Sequence, residues 1–153
     1  MQIEPFDVEI WMNEWETKCE WNLAETCVKS LTIAELLALA GKDETCLSEL
    51  MTLKMTYGAI EGSDRLRAAI ATLYALQEVE NVIVTHGAIG ANMLVHKTLV
   101  ETGDRVISVV PTYQQHYSIP ASIGADVHHL QLREENGFLP DLEELRALAL
   151  PGT

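Results

Sequence analysis

The sequence predicts an α/β fold, three layers in αβα order around a mostly parallel sheet, with a helical arm ahead of it. Three observations carry this. From residue 82 onward, short apolar and β-branched runs (Val82–Val84, Arg105–Val110, Asp126–Leu132) alternate with stretches of helical periodicity. The connections are short and carry glycine, at Gly87, Gly103 and Gly124. Strands and helices alternating through such connections form crossover units, whose strands run parallel and whose helices cover the sheet.

The N-terminal residues come first. Phe6, Ile10, Trp11 and Trp15 recur at helical intervals among acids, predicting an amphipathic helix from Phe6 to about Cys19. Trp11, Trp15 and Trp21 are a heavy aromatic load for a leading segment and fit either an arm laid on another subunit or burial in the chain's own core. Asn22–Cys27 reads as a loop. Thr32 then caps a helix over 33–40, with Glu35 at the third position completing a capping box and Gly41 closing it. Leu50–Thr56 fits a short strand or a helix end equally well. Tyr57–Gly62 is a glycine-bracketed loop with one aromatic hydroxyl. Ser63 is the N-cap and Asp64 the first-turn acid of a helix reaching about Leu76, with Leu66, Ala69, Ile70 and Leu73 on its inner face.

The regular part follows: strand 82–86, helix 88–101, turn 102–104, strand 105–110, loop 111–113, helix, turn 124–125, strand 126–132. Pro120 should remove a hydrogen bond to the carbonyl of His116 and kink or break its helix. Asn136-Gly137 is a turn signal, and Pro140 leads into a helix from Asp141 with Leu142, Leu145, Leu148 and Ala149 on its apolar side.

Composition narrows the function classes. Of 153 residues 48% are apolar and 22% charged, a globular balance. With 23 acidic against 10 basic side chains the formal charge is −13, which repels nucleic acid and anionic membrane surfaces. No apolar stretch approaches the roughly 20 residues that span a bilayer, and no export signal precedes the first helix. Cys19, Cys27 and Cys46 lack the close pairs of a zinc site and suit a reducing compartment, so the cytoplasm is expected. His116, His128 and His129 invite a metal reading, but adjacent strand residues point to opposite faces, and no metal is predicted.

The segment from Val82 to Asn92 organises the rest. An apolar strand breaks at Gly87 and restarts with Ala91, Leu94, Val95, Thr98 and Leu99 on one helix face. A helix opening at a glycine turn aims unpaired N–H groups and the positive end of its dipole above the strand, which suits an anion, most naturally a phosphate. Read alone, Gly87 and Gly90 also fit a plain tight turn. In parallel sheets ligands sit beyond the carboxyl ends of the strands, where both this turn and the 111–113 loop emerge.

The run Tyr57-Gly58-Ala59-Ile60-Glu61-Gly62 with Leu66-Arg67, then Thr85 to Ala91, Gly103-Asp104 before Pro111-Thr112-Tyr113, and Asp141 to Leu145 together resemble the class I/II aminotransferases, fold-type I enzymes that use pyridoxal 5'-phosphate (PLP). The resemblance implies a helical arm and small-domain segment over 1–56, and over 57–153 the first part of an incomplete PLP-binding large domain. It implies that Gly87, Ala88 and Ile89 hold the cofactor phosphate, that Tyr113 stacks on its ring, that Tyr57 reaches across a homodimer to the partner's cofactor phosphate, and that Ala24 approaches the substrate carboxylate. The substrates would be an amino acid and a 2-oxo acid. Lys18, Lys29, Lys42, Lys54 and Lys97 match no Schiff-base motif, so that lysine is expected beyond residue 153, with the acid that pairs the ring nitrogen and the carboxylate-binding arginine. The chain thus reads as the N-terminal portion of a longer enzyme, with catalytic power absent from this part alone. A lyase or cyclase of the same fold shares these residues. A nicotinamide-nucleotide domain would want Gly-x-Gly-x-x-Gly and an acid ending the second strand, but here only Gly87 and Gly90 occur and that strand ends Val109-Val110-Pro111. A non-catalytic α/β binding module is the third reading.

Overall fold

The computed structural model describes residues 2–153. They divide into two units, one of residues up to Trp11 with Glu61–Thr153, the other Met12–Ile60. In chain order the elements are α1 (Asp7–Trp15), α2 (Ile33–Leu39), α3 (Thr45–Met51), α4 (Asp64–Ala71), α5 (Gly87–Leu99), β1 (Arg105–Val110), α6 (Gln115–Ile123), β2 (Asp126–Gln131) and α7 (Leu142–Leu148). Short 3-10 turns occupy Val79–Asn81 and Glu134–Asn136.

In the unit Met12–Ile60, α2 begins as its sequence dictates. The Thr32 hydroxyl accepts from the Glu35 N–H at 3.2 Å, the Glu35 carboxylate accepts from the Thr32 N–H at 2.7 Å, and Gly41 follows at φ +64°. Two backbone orphans are satisfied reciprocally, and a positive φ closes the helix. These bonds from Thr32 hold the Glu35 carboxyl below its ordinary range. The ambiguous stretch after residue 50 resolves as the end of α3 followed by turns.

The larger unit is built on β1 and β2, which pair in parallel from Arg105↔Asp126 to Val110↔Gln131 with α6 as the crossover. Two turns set this register. Gly103 N–H donates to the Gly124 carbonyl at 2.9 Å, the Thr102 hydroxyl donates to the Ile123 carbonyl at 2.8 Å, and Asp126 N–H donates to the Asp104 carbonyl at 2.8 Å. Gly124, at φ +98°, sits where an added Cβ would lie 3.0 Å from Thr102 Cγ2, so a side chain there would push the turns apart. Arg105 adds an ion pair to Asp126 at 3.6 Å and donates to the Leu148 carbonyl at 3.0 Å, fastening the end of α7 to the sheet. α6 packs on α5, β1 and β2, and α7 packs on β2. Ala71, Ile119 and Leu130 are the buried apolar residues, and Pro120 is buried with them.

The α/β class and parallel pairing stand as the sequence predicts, with three corrections. The run 82–86 is not a strand: the Val82 N–H closes the preceding turn on the Val79 carbonyl at 3.1 Å and the Val84 N–H reaches the Glu61 carbonyl at 2.9 Å, two isolated bonds that make no ladder with a neighbouring strand. Pro120 does not break α6, which runs on to Ile123, because full burial of its ring offsets the missing hydrogen bond. The helix begun by Ser63 stops at Ala71, where the Thr72 hydroxyl donates back to the Ala69 carbonyl at 2.7 Å and competes with the next turn. Among the described residues no helix is long and apolar enough to cross a membrane, and no group of three or more His, Cys, Asp or Glu could hold a metal ion.

Candidate functional site

The start of α5 is built from three directions. Beneath it, the extended segment leading to Thr85 is held by Arg67 of α4. Its guanidinium is largely buried, donates to the carbonyls of Val82 at 2.8 Å and Val79 at 2.9 Å, and pairs with Glu61 at 3.4 Å and Asp64 at 3.5 Å. Gly62 lets the loop close on the same segment, since an added Cβ would lie 2.6 Å from Val84 Cγ2.

At the turn itself His86 is extended and provides no side-chain cap, Gly87 takes φ +71°, and the first turn of α5 contains no acid. The Thr85 hydroxyl donates to the Gly87 carbonyl at 3.1 Å, and Gly90 faces Thr85 Cβ, 3.4 Å from where its own Cβ would be. Gly87, Ala88 and Ile89 are exposed. A 13-residue helix thus presents its positive end to solvent with neither a side-chain cap nor a first-turn carboxylate to neutralise it, while Lys97 complements the opposite end.

The third direction is α6. Gln115, buried to 5% exposure, donates through Nε2 to the Ile89 carbonyl at 2.8 Å and accepts at Oε1 from Asn92 at 3.1 Å. Tyr113 lies two positions before Gln115, on the loop leaving β1, and is 40% exposed. The parallel strand therefore delivers Tyr113, and the buried amide fixes its loop to the first turn of α5. Phe6 meets Tyr113 edge to face at 4.7 Å between ring centroids and 78° between planes. Deeper in the unit, His96 of α5 and His116 of α6 lie 6.0 Å apart beside a cavity of ≈ 280 Å³ that Ser108 also lines. Burial, then the neighbouring His116, pushes the His96 imidazole below its ordinary value.

Gly87, Ala88, Ile89 and Tyr113 belong to one unit, joined through the bond from Gln115, two positions after Tyr113, to the Ile89 carbonyl. Ala24 and Tyr57 belong to the other, where the Ala24 N–H donates to Asn22 Oδ1 at 3.0 Å and Tyr57 is fully exposed. The sequence assigns no site role to Gln115, Asn92, Arg67 or Phe6. Arg67 carries a weak signal, a cation among the apolar positions of an amphipathic helix.

An uncapped helix N-terminus beside an exposed aromatic ring defines a corner able to take an anion attached to a flat ring. A family model described as aminotransferase class I and II matches residues 32–150, and the chain belongs to that family. Capreomycidine synthase of Streptomyces vinaceus is 34% identical over 143 residues, 92% of this chain and 36% of that protein. A PLP-dependent aminotransferase from Streptococcus suis superposes with a TM-score of 0.94 at 45% identity, over 100% of this chain and 41% of that one. The PLP-dependent cyclase OrfR superposes with a TM-score of 0.85 at 26% identity, over 100% and 39% respectively. The chain therefore spans roughly two fifths of the length of the relatives it matches.

Proposed function

We propose that this chain is the cofactor-phosphate-binding part of a PLP-dependent aminotransferase that moves an amino group from an amino acid to a 2-oxo acid in cytoplasmic amino-acid metabolism. The observation that carries the reading is the start of α5, acid-free and uncapped, with Gly87 at its head and the Tyr113 loop bonded to it through Gln115. Residues 1–56 are the arm and small-domain segment, and 57–153 the first part of the large domain. The N–H groups of Ala88 and Ile89, with Gly87 opening the turn, hold the phosphate, and the ring of Tyr113 lies against the heterocycle. Tyr57 serves the cofactor phosphate of the second subunit of a homodimer, and Ala24 borders the substrate carboxylate.

When bound, PLP supplies an electron sink that lets bonds at an amino acid's α-carbon break. The residues of this chain anchor and orient. Fixed amides need no reorganisation when the phosphate arrives, and a flat side chain limits the tilt of the ring. The lysine that bonds the cofactor lies outside residues 1–153. Two relatives favour a second reading: capreomycidine synthase and the cyclase OrfR match over most or all of this chain, so cyclisation on the same anchor is the alternative outcome.

Titrating the purified chain with PLP and following its absorbance tests the reading. Saturable binding that inorganic phosphate displaces supports it, provided borohydride fixes no cofactor to Lys18, Lys29, Lys42, Lys54 or Lys97. Absence of binding, or fixation on one of those lysines, contradicts it.

A further inference from the structure

We infer that Phe6 is a positioning residue for Tyr113, and that the N-terminal residues act as a strap setting the angle of the ring that faces the cofactor. The inference rests on the reading of Tyr113 given above. Four contacts support it. Gln114, next to Tyr113, donates through Nε2 to the carbonyls of Pro5 at 2.9 Å and Glu4 at 3.3 Å. Phe6 follows directly, and its own carbonyl accepts from Ile10 N–H at 3.0 Å, opening α1. Phe6 is thus fixed on both sides, by the Gln114 side chain bonded to the two residues before it and by α1 after it. Its ring meets Tyr113 at 4.7 Å and 78°.

The consequence follows from geometry. Tyr113 sits on a loop, 40% exposed, and among the described residues its one ring contact is Phe6. A phenol on a loop samples several rotamers, and a partner that must bind its face pays for selecting one of them. A near-perpendicular neighbour removes that freedom and can cover at most one face of the tyrosine ring. The strap also lines, with Tyr117, Ser118, Ser122 and His129, a cavity of ≈ 660 Å³, so it is held by these few contacts rather than by packed core. Order in residues 2–6 and order in the Tyr113 ring should therefore rise and fall together.

The test uses the purified chain and PLP. Phe6→Leu keeps apolar bulk and removes the ring; Phe6→Tyr keeps the ring. Loss of an edge-to-face partner should weaken PLP binding roughly 2- to 10-fold and reduce the circular dichroism induced in the bound cofactor. Phe6→Tyr should restore both, and Phe6→Leu should cost nothing further in a Tyr113→Leu background. Without cofactor, the Tyr113 ring resonances should lose their ring-current shift in Phe6→Leu. If Tyr113→Leu weakens binding and Phe6→Leu does not, the strap has no positioning role. Failure of Phe6→Tyr to restore binding overturns it too, because only bulk then matters. If Tyr113→Leu leaves PLP affinity unchanged, the cofactor reading itself fails, and the inference with it.

Discussion

Placing a carboxylate in the first turn of α5, by Ala88→Glu, separates helix stability from phosphate binding. The turn now has no acid and no side-chain cap, so the new charge meets an unneutralised dipole and should stabilise the helix by about 0.3–1 kcal/mol. The same charge would lie some ~5 Å from a dianionic phosphate held by the Ala88 and Ile89 amides. Even at the dielectric of water, that repulsion is about 1.7 kcal/mol, roughly tenfold in affinity, and more where the site is shielded. Melting followed by circular dichroism and PLP titration followed by absorbance read the two effects on one sample. The variant should melt no lower than the parent and bind PLP at least about tenfold more weakly. A variant that melts higher and binds PLP with unchanged affinity would refute the reasoning, because the phosphate would then lie elsewhere.

Other perturbations address how the turn is held. Arg67→Met leaves the Val82 carbonyl without its donor and the Val79 carbonyl with the Val82 N–H alone, and should cost about 2–4 kcal/mol, read as a lower denaturation midpoint at constant slope. Gly62→Ala puts a methyl group 2.6 Å from Val84 Cγ2 at φ +99° and should cost a similar ~2–4 kcal/mol, with weaker PLP binding because the same segment leads into α5. The Asp126 carboxyl is held below its ordinary range, first by its hydrogen bond with His128, then by the charges of His128 and Arg105. Its folded value lies below its unfolded one, so its stabilisation is complete above the unfolded value of about 3.9 and lost as pH falls through the lowered value. The gap in denaturation midpoint between the parent and Asp126→Asn should therefore be constant near neutrality and close in acid; a gap that widens in acid would contradict this.

What the sequence made legible was local. The capping box at Thr32 and Glu35, the Ser63 cap, the helix start near Asp141, and the β1 limits at Arg105 and Val110 all depend on residues within a few positions of one another. The glycine-opened start of α5 was legible for the same reason, since Gly87 stands in the stretch the helix grows from, whereas the face expected to be buried, with Leu94, Val95 and Leu99, is exposed. What stayed hidden was carried by distant partners. The Gln115 bonds to Asn92 and Ile89 span 23 and 26 positions, and the Gln114 bond to Pro5 spans 109. No periodicity marks a glutamine that will be buried. The strand expected at 82–86 failed on this point, because β-branched residues favour extension whereas a strand also requires a neighbour. Arg67 was hidden by its charge, which reads as solvent-facing until the two carbonyls it serves are seen.

The central claim is that the amides of Ala88 and Ile89 grip a phosphate whose attached ring lies on Tyr113. A crystal structure of the chain grown with PLP measures it directly. The account predicts phosphate oxygens at about 2.7–3.1 Å from both amide nitrogens, with the heterocycle parallel to the Tyr113 ring. Cofactor density away from the start of α5, or a phosphate there with its ring turned away from Tyr113, would contradict it.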